Sequence, residues 1–139
     1  MESREEKTAV VEKWFRLVDE GDIPELVRRV DELFTEDYEG YFAGSMVKGI
    51  EAMREYARNS QSVYGDMNHE VIEHIVEGDK VATRLMFTGT HVGELLGVPA
   101  TGKRVKSPMT TVYEVVGGKM RRTWLDYDSL YHILSQIKE

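Results

Sequence analysis

The 139-residue sequence predicts an α+β fold, in which helices come first along the chain and antiparallel strands follow. In the first half, apolar residues recur every three or four positions with charges between them, which is typical of amphipathic helices. From Met67 onward, apolar and polar residues alternate between short Gly-containing turns, which is typical of strands joined by hairpins. No internal repeat or linker divides the sequence, so we expect a single domain, residues 1–139.

The first half of the chain predicts three helices and one short strand. Gly21 ends the first helix, and Pro24 lies at a favoured first-turn position of the second. The short strand ends at a turn formed by Gly44 and Ser45. The predicted bounds are about 5–19, 22–34 and 48–63 for the helices and 37–43 for the strand.

The second half predicts four strands and a closing helix. Glu77-Gly78-Asp79 and Gly117-Gly118 have the composition of hairpin turns, and each lies between two alternating segments. The predicted strands cover about residues 69–76, 80–90, 104–116 and 120–127, and the last helix covers 129–138. Because His69 and His74 lie five residues apart on the first of these strands, we expect them on opposite faces of the sheet.

Composition and charge exclude several classes of function. The formal net charge of −7 disfavours a nucleic-acid partner, because phosphate binding needs a cationic surface. The chain has no cysteine and no metal-ligand spacing of histidines, so we expect neither a metal nor a cofactor. The charged N-terminus lacks the apolar core of a signal peptide, and no apolar run reaches the ~18 residues that span a membrane. We therefore expect a cytoplasmic protein with no membrane partner.

Two segments indicate a binding pocket. Gly89–Lys103 contains four glycines and one proline between two predicted strands, so it forms a long structured connection with His91 near its start. Trp124, Asp126 and Asp128 alternate on the last strand and therefore share one face of the sheet. We interpret a face with one aromatic residue and two carboxyls as the lining of a pocket.

These two motifs carry a resemblance to a known family. Gly-Thr-His-x-Gly…Gly-x-Pro-x-Thr-Gly-Lys at residues 89–103 and Trp-x-x-x-Asp at 124–128 closely resemble the SnoaL-like polyketide cyclases of the nuclear-transport-factor-2-like superfamily, which have the ketosteroid-isomerase-like fold. The resemblance extends from the first helix to Gln136. It implies a cone-shaped α+β barrel, with three N-terminal helices packed on a curved antiparallel sheet and a short C-terminal helix. It also implies a buried pocket for a small apolar or aromatic carbonyl ligand.

The resemblance implies that Asp128, at the Trp-x-x-x-Asp position, is the acid/base of an intramolecular aldol condensation. A partly buried carboxylate suits this role, because it can take a proton α to a carbonyl. Asp128 also precedes Ser129, so it could instead cap the last helix. Asp126 lies ~6.6–6.8 Å away along the strand. It could share the acid/base work, or form an ion pair with an arginine such as Arg84.

Five residues are further candidates for the site. His91, at a strand end, could bond a substrate carbonyl or relay a proton, or could only fix the loop through its backbone. The resemblance places the short strand with Tyr38 and Tyr41 in the pocket wall, and a tyrosine hydroxyl there could donate to an oxyanion. Trp124 would line the same pocket, and Arg84 could pair with a carboxylate there.

Three hypotheses for the function follow. The first is a cofactor-free cyclase or lyase that acts on a polyketide-like carbonyl compound. The second is a non-catalytic binding protein for a small hydrophobic ligand, because one fold hosts many functions. The third and less favoured is an epoxide hydrolase or isomerase, which needs an Asp-Arg-Asp arrangement around a water. In each case we expect a homodimer or higher homo-oligomer, since both faces of the strand at 104–116 carry apolar side chains.

Overall fold

The computed structural model describes residues 2–139, in which five helices pack against one six-stranded sheet. The helices are α1 (Arg4–Glu20), α2 (Ile23–Arg28), α3 (Val30–Leu33), α4 (Ile50–Arg58) and α5 (Asp128–Ile137). The strands are β1 (Phe34–Phe42), β2 (Ser45–Lys48), β3 (Tyr64–Glu77), β4 (Lys80–His91), β5 (Arg104–Val116) and β6 (Lys119–Leu125). The predicted α+β class is confirmed. No helix in this described range is both long and apolar enough to cross a membrane.

The sheet is mixed and open. Its order is β2-β1-β6-β5-β4-β3, so β2 and β3 form two edges where a barrel was expected. Every neighbouring pair is antiparallel except β1 and β6, which run parallel, so the prediction of a wholly antiparallel sheet is wrong at this pair. The reason is connectivity. β1 and β6 lie far apart in the sequence, and no hairpin turn forces them to run in opposite directions.

The second and third predicted helices are shorter in the structure than expected. The expected helix at residues 22–34 is broken at Arg29, where φ is −96° and ψ is 4°, so α2 and α3 replace it. The expected third helix stops early, because α4 ends at Arg58. Ser45–Lys48 pairs with β1 as the edge strand β2, so the turn predicted at Gly44 and Ser45 lies one residue earlier, at Ala43 and Gly44. Three short helices therefore stand where two longer ones were predicted.

Alternate side chains divide the sheet into two faces. On β5, the odd-numbered residues from Val105 to Val115 point to the side that α1 covers, which we call the inner face. Phe15 of α1 meets Tyr113 of β5 there, with ring centroids 6.1 Å apart. The even-numbered residues of β5 point to the opposite side, the outer face, where most are exposed.

A bulge in β3 changes which of its side chains point inward. Between Val71 and Glu73, two residues of β3 oppose one residue of β4. The extra residue shifts the alternation by one position, so His69 and His74 both lie on the inner face. The expectation that these histidines point to opposite faces is therefore wrong.

α5 covers the part of β5 that β6 leaves unpaired. β6 ends one residue before Asp126, whose carboxylate then accepts the backbone N–H of Thr110 at 2.7 Å. Near the end of α5, the Gln136 side chain bonds both the N–H and the C=O of Lys106, at 2.9 and 2.8 Å. Pro108 lies between these two positions and has no N–H to satisfy, which is why a proline fits in the middle of this long strand.

Candidate functional site

The inner face of the sheet, α1 and α4 enclose a cavity of about 170 Å³, which we call the inner cavity. Its walls are mainly aromatic and include Trp14, Phe15, Tyr64, Phe87 and Tyr113. An apolar cavity of ~150 Å³ can hold benzene, so the inner cavity has room for about one flat ring.

A groove of about 390 Å³ adjoins the inner cavity and shares Phe42, Tyr64 and Met109 with its wall. This mouth groove runs between the loop after β4 and α5, where Leu96 and Leu130 contribute apolar surface. Within residues 2–139, no charged side chain lines it. A ligand larger than one ring can therefore extend from the inner cavity into the mouth groove while staying in apolar surroundings.

One acid/base pair has its imidazole in the wall of the inner cavity, while its carboxylate lies in the neighbouring groove between α1 and β3. Nδ1 of the His69 imidazole lies 2.6 Å from Oδ1 of Asp19, and the backbone N–H of His69 donates to Oδ2 of the same carboxylate at 2.7 Å. Because a carboxylate only accepts hydrogen bonds, Nδ1 carries a proton, and in the neutral imidazole Nε2 is then the nitrogen with the lone pair. His69 can therefore accept a proton at Nε2.

Packing fixes the His69 ring in place. Phe15 stacks on it, with ring centroids 4.8 Å apart and planes 6° from parallel, and the Phe87 ring lies 5.2 Å away. Asp19 belongs to the last turn of α1, four residues after Phe15, so one face of the helix supplies both the carboxylate and the stacked ring. α1 thereby sets the orientation and the tautomer of the imidazole.

Tyrosine hydroxyls supply further polar groups around the cavity. Burial raises the pKa of Tyr56 to about 12, and burial likewise raises the pKa of Tyr64 to about 12. Burial also raises the pKa of Tyr113, while the neighbouring Thr111 hydroxyl acts in the opposite direction. All three phenols stay protonated at neutral pH, so each can donate a hydrogen bond to a ligand oxygen.

Asp126, Asp128 and Arg84, three site residues proposed from the sequence, lie together outside the inner cavity. They line an open depression of about 240 Å³ on the outer face. Asp126 accepts the backbone N–H groups of Thr110 and Ser129, each at 2.7 Å, so Asp126 and not Asp128 caps α5. The expectation that the two carboxyls line the interior pocket is wrong.

Trp124 and Tyr41 also lie on the outer face, where their rings stack with centroids 6.2 Å apart. Thr123 and Leu125 take the inner positions of β6, because side chains alternate along a strand. Tyr38 is fully buried, and its hydroxyl donates to Oγ1 of Thr123 at 2.7 Å. All three aromatic residues were expected to line the pocket, but none of them lines the inner cavity.

His91 is buried on the inner side of the sheet and lines neither the inner cavity nor the mouth groove. Its Nδ1 accepts the backbone N–H of Thr101 at 3.2 Å and lies 2.9 Å from the Thr101 hydroxyl. Its backbone carbonyl accepts the N–H of Gly102 at 2.9 Å. These contacts fit the alternative in which His91 fixes the loop after β4.

The Asp19–His69 pair has no signature in the sequence pattern. Asp19 marks only the end of a predicted helix, and periodicity does not identify a partner 50 residues away. One signal was available, since Met67, His69 and Val71 alternate and therefore share a face. In the described part of the chain, no group of three or more His, Cys, Asp or Glu side chains could hold a metal.

Comparison with known proteins identifies relatives along the chain. Residues 8–137 match the family model of the SnoaL-like polyketide cyclases. Two aklanonic acid methyl ester cyclases, from Streptomyces peucetius and from Streptomyces sp. (strain C5), are 39% and 38% identical to the chain over 69 residues. Each match covers 48% of this chain, and they cover 48% and 43% of the two cyclases. The chain thus spans about half the length of the curated relatives it matches.

Solved structures resemble the whole chain. TsrD from Streptomyces laurentii matches with a TM-score of 0.78 and 27% identity, covering 96% of this chain and 98% of its own. A SnoaL-like polyketide cyclase from Agrobacterium tumefaciens matches with a TM-score of 0.73 and 18% identity, covering 96% of this chain and 99% of its own. At that identity, the second likeness supports the fold alone.

Proposed function

Because the chain belongs to the SnoaL-like polyketide cyclase family, we propose that it is a cofactor-free cyclase that acts in the inner cavity. Its substrate is a polyketide-like or other apolar compound with two carbonyl groups, which an aldol-type step joins into a ring. The match over residues 8–137, the relatives named as aklanonic acid methyl ester cyclases, and a ring-sized cavity with aromatic walls support this proposal.

The observation that carries the proposal is the Asp19–His69 pair, whose imidazole lies in the cavity wall. In the reaction, Nε2 of His69 takes a proton from the carbon α to one ketone, and the electron pair left behind forms an enolate. The enolate carbon attacks the second carbonyl, so a C–C bond forms and the carbonyl oxygen becomes an alkoxide. That alkoxide takes the proton from His69, which returns to its starting state.

The residues around His69 assist this step. Asp19 is a positioning residue, because its carboxylate holds Nδ1–H and keeps Nε2 available as the base. The protonated phenols of Tyr56, Tyr64 and Tyr113 offer donors for an enolate oxygen. The apolar walls keep water away from the enolate, which favours attack on the second carbonyl over reprotonation by solvent.

The family resemblance predicts Asp128 as the acid/base, and that role stays a prediction beside the assignment to His69. Asp128 is exposed in the first turn of α5 and lines the depression on the outer face. A substitution at Asp128 therefore leaves the lining of the inner cavity unchanged, and the two assignments can be separated experimentally.

The test measures how fast the α-protons of 2-tetralone, a two-ring ketone, exchange for solvent deuterium in the presence of the protein, followed by NMR. We expect His69→Gln to slow the exchange by about 100-fold, because an acid/base group contributes at least that much. Asp19→Asn should slow it too, since the amide no longer fixes the base tautomer. Asp128→Asn is the matched control and should keep the wild-type rate. A full rate in His69→Gln together with a lost rate in Asp128→Asn would reverse the assignment.

The second candidate function is a non-catalytic carrier of a small hydrophobic ligand. The mainly apolar lining of the inner cavity favours it, since such a cavity can hold a ligand without any reaction. A carrier would bind 2-tetralone and leave its exchange rate at the value measured in buffer alone. The same experiment therefore distinguishes it from the cyclase.

Epoxide hydrolysis has weaker support. Asp126, Asp128 and Arg84 do line one depression, which resembles the required Asp-Arg-Asp arrangement. However, both oxygens of Asp126 accept backbone N–H groups, and Arg84 pairs with Glu73 at 3.3 Å. Because Asp126 and Arg84 already make these bonds within the protein, they are poorly placed to hold and activate a water.

A further inference from the structure

The inner face of the sheet carries three buried threonines on neighbouring strands. Thr83, Thr111 and Thr123 lie on β4, β5 and β6, and each is at most 5% exposed. The Thr83 hydroxyl lies 2.8 Å from Nδ1 of His74, and Thr123 accepts the hydroxyl of Tyr38 at 2.7 Å. The Thr111 hydroxyl is equally shielded from solvent, but within residues 2–139 it has only a weak contact with the Tyr113 hydroxyl and no well-formed hydrogen bond.

Thr111 therefore does not serve the fold as the other two threonines do. A buried hydroxyl without a hydrogen bond has lost its contacts with water and gained none in return, so it destabilises the folded state. Valine has nearly the same shape and avoids this cost. A threonine at this position is better explained by a partner that is not part of the chain.

The position of Thr111 indicates what that partner is. Thr111 lines the inner cavity, two residues before Tyr113 on the same face of β5. The surrounding wall is made largely of rings, among them Phe15, His69 and Phe87, and such a wall suits a flat, unsaturated molecule. On such a molecule, a ring oxygen substituent can accept a hydrogen bond from the threonine hydroxyl.

We propose that Oγ1 of Thr111 donates a hydrogen bond to an oxygen borne directly on a ring of the ligand. The substrate class is then ring ketones, enones and phenols, which carry that oxygen. This inference rests on the proposed function, because it takes the inner cavity as the substrate site. In the cyclisation, Thr111 holds the oxygen of the enolate while His69 handles the α-proton.

The test uses two probes that differ by one group, 2-naphthol and 2-methylnaphthalene, with dissociation constants measured by equilibrium dialysis. Because a hydrogen bond changes affinity by about tenfold, we expect the ratio of the two constants to shift by about that factor between wild type and Thr111→Val. The whole shift should come from weaker binding of 2-naphthol. Thr111→Ser keeps a hydroxyl and should keep the wild-type ratio.

Thr123→Val is the matched structural control. It removes the acceptor of the buried Tyr38 hydroxyl, so its Tm should fall while the probe ratio stays at the wild-type value. Thr111→Val breaks no well-formed hydrogen bond of the protein, so its Tm should stay the same or rise.

An unchanged ratio in Thr111→Val, with both probes bound, overturns the inference and leaves the proposed function standing. The inference also fails if Thr111→Val lowers Tm as much as Thr123→Val does, since the hydroxyl would then serve the fold. If neither probe binds the wild type, the inner cavity is not a ligand site, and the proposed function fails together with the inference.

Discussion

His74 is held between α1 and β3 by groups of both charges. Its Nε2 lies 3.7 Å from Glu12, its Nδ1 lies 2.8 Å from the Thr83 hydroxyl, and Arg4 donates to its backbone carbonyl. Burial lowers the pKa of His74 below its usual 6.5; Glu12 opposes this shift and Arg4 reinforces it. His74 is therefore neutral in the folded protein at neutral pH.

This shift predicts that acid weakens the fold through His74. The unfolded imidazole takes up a proton near pH 6.5 while the folded one resists it, so the free energy of unfolding should fall as the pH drops below about 6.5. The fall should end once the pH is below the folded pKa. Thermal melts between pH 8 and pH 5 should give a steeper loss of Tm for the wild type than for His74→Asn.

His132→Asn, at an exposed position of α5, is the control and should follow the wild type. Parallel curves for wild type and His74→Asn would contradict this role.

Residue patterns predict which side chains share a face, but not which face the helices cover. Trp124 and Asp126 alternate as expected, yet Thr123 and Leu125 occupy the covered side of β6. The choice depends on where α1 packs, and α1 contacts strands that begin more than 40 residues later. For this reason the sequence correctly predicts that β6 lines a pocket, but it assigns the lining to the side chains on the wrong face of the strand.

Elements with strong local signals are predicted closely. The predicted bounds of β5, residues 104–116, agree with the structure, because Gly102 and Gly117 bracket a long alternating run. β3 instead begins at Tyr64 and not at residue 69, since pairing with β4 extends it beyond its alternating part. Its bulge has no comparable local signal, and the bulge decides that His74 points inward.

The loop after β4 contains two glycines whose substitution should cost different amounts. A Cβ added at Gly93 would lie 1.7 Å from the backbone oxygen of Ser62, which cannot turn aside as a side-chain end can. At Gly97 such a Cβ meets nothing within 4 Å, but a φ of +85° strains other residues by about 1–2 kcal/mol. Urea unfolding should therefore give a larger loss of unfolding free energy for Gly93→Ala, about 3 kcal/mol, than for Gly97→Ala. Equal losses would mean that the loop moves freely away from Ser62.

For the molecule as a whole, the fold class can be predicted from the hydrophobic pattern of the sequence, but the candidate site cannot. Hairpin turns and alternation predict most of the sheet, but they predict neither the edge strand β2 nor the parallel pairing of β1 with β6. The inner cavity joins side chains from distant elements, such as Phe15 of α1, Tyr56 of α4 and Met109 of β5. Which of these meet depends on packing between elements, and local periodicity does not encode it.

The outer face of the sheet is a large surface left uncovered, and we propose that a second copy of this chain covers it. The Tyr41–Trp124 stack lies there together with Ile72, which is 48% exposed. Charges of both signs accompany them, because Arg84 and Glu73 pair there at 3.3 Å with about half of each side chain exposed. A face with both signs can meet a copy of itself, turned about a two-fold axis, with opposite charges paired.

Light scattering after size-exclusion chromatography should then give a mass near twice the 16.0 kDa of one chain. Trp124→Glu removes the stack and places an unpaired charge in the contact, so its mass should fall to that of one chain. Leu96→Asp is the control, because it adds a charge at another exposed apolar residue, in the loop after β4, where Asp tolerates the φ of +44°. It should remain a dimer. A wild-type monomer at micromolar concentration would contradict the proposal. Since the inner cavity lies on the other face, Trp124→Glu should still exchange the α-protons of 2-tetralone at the wild-type rate.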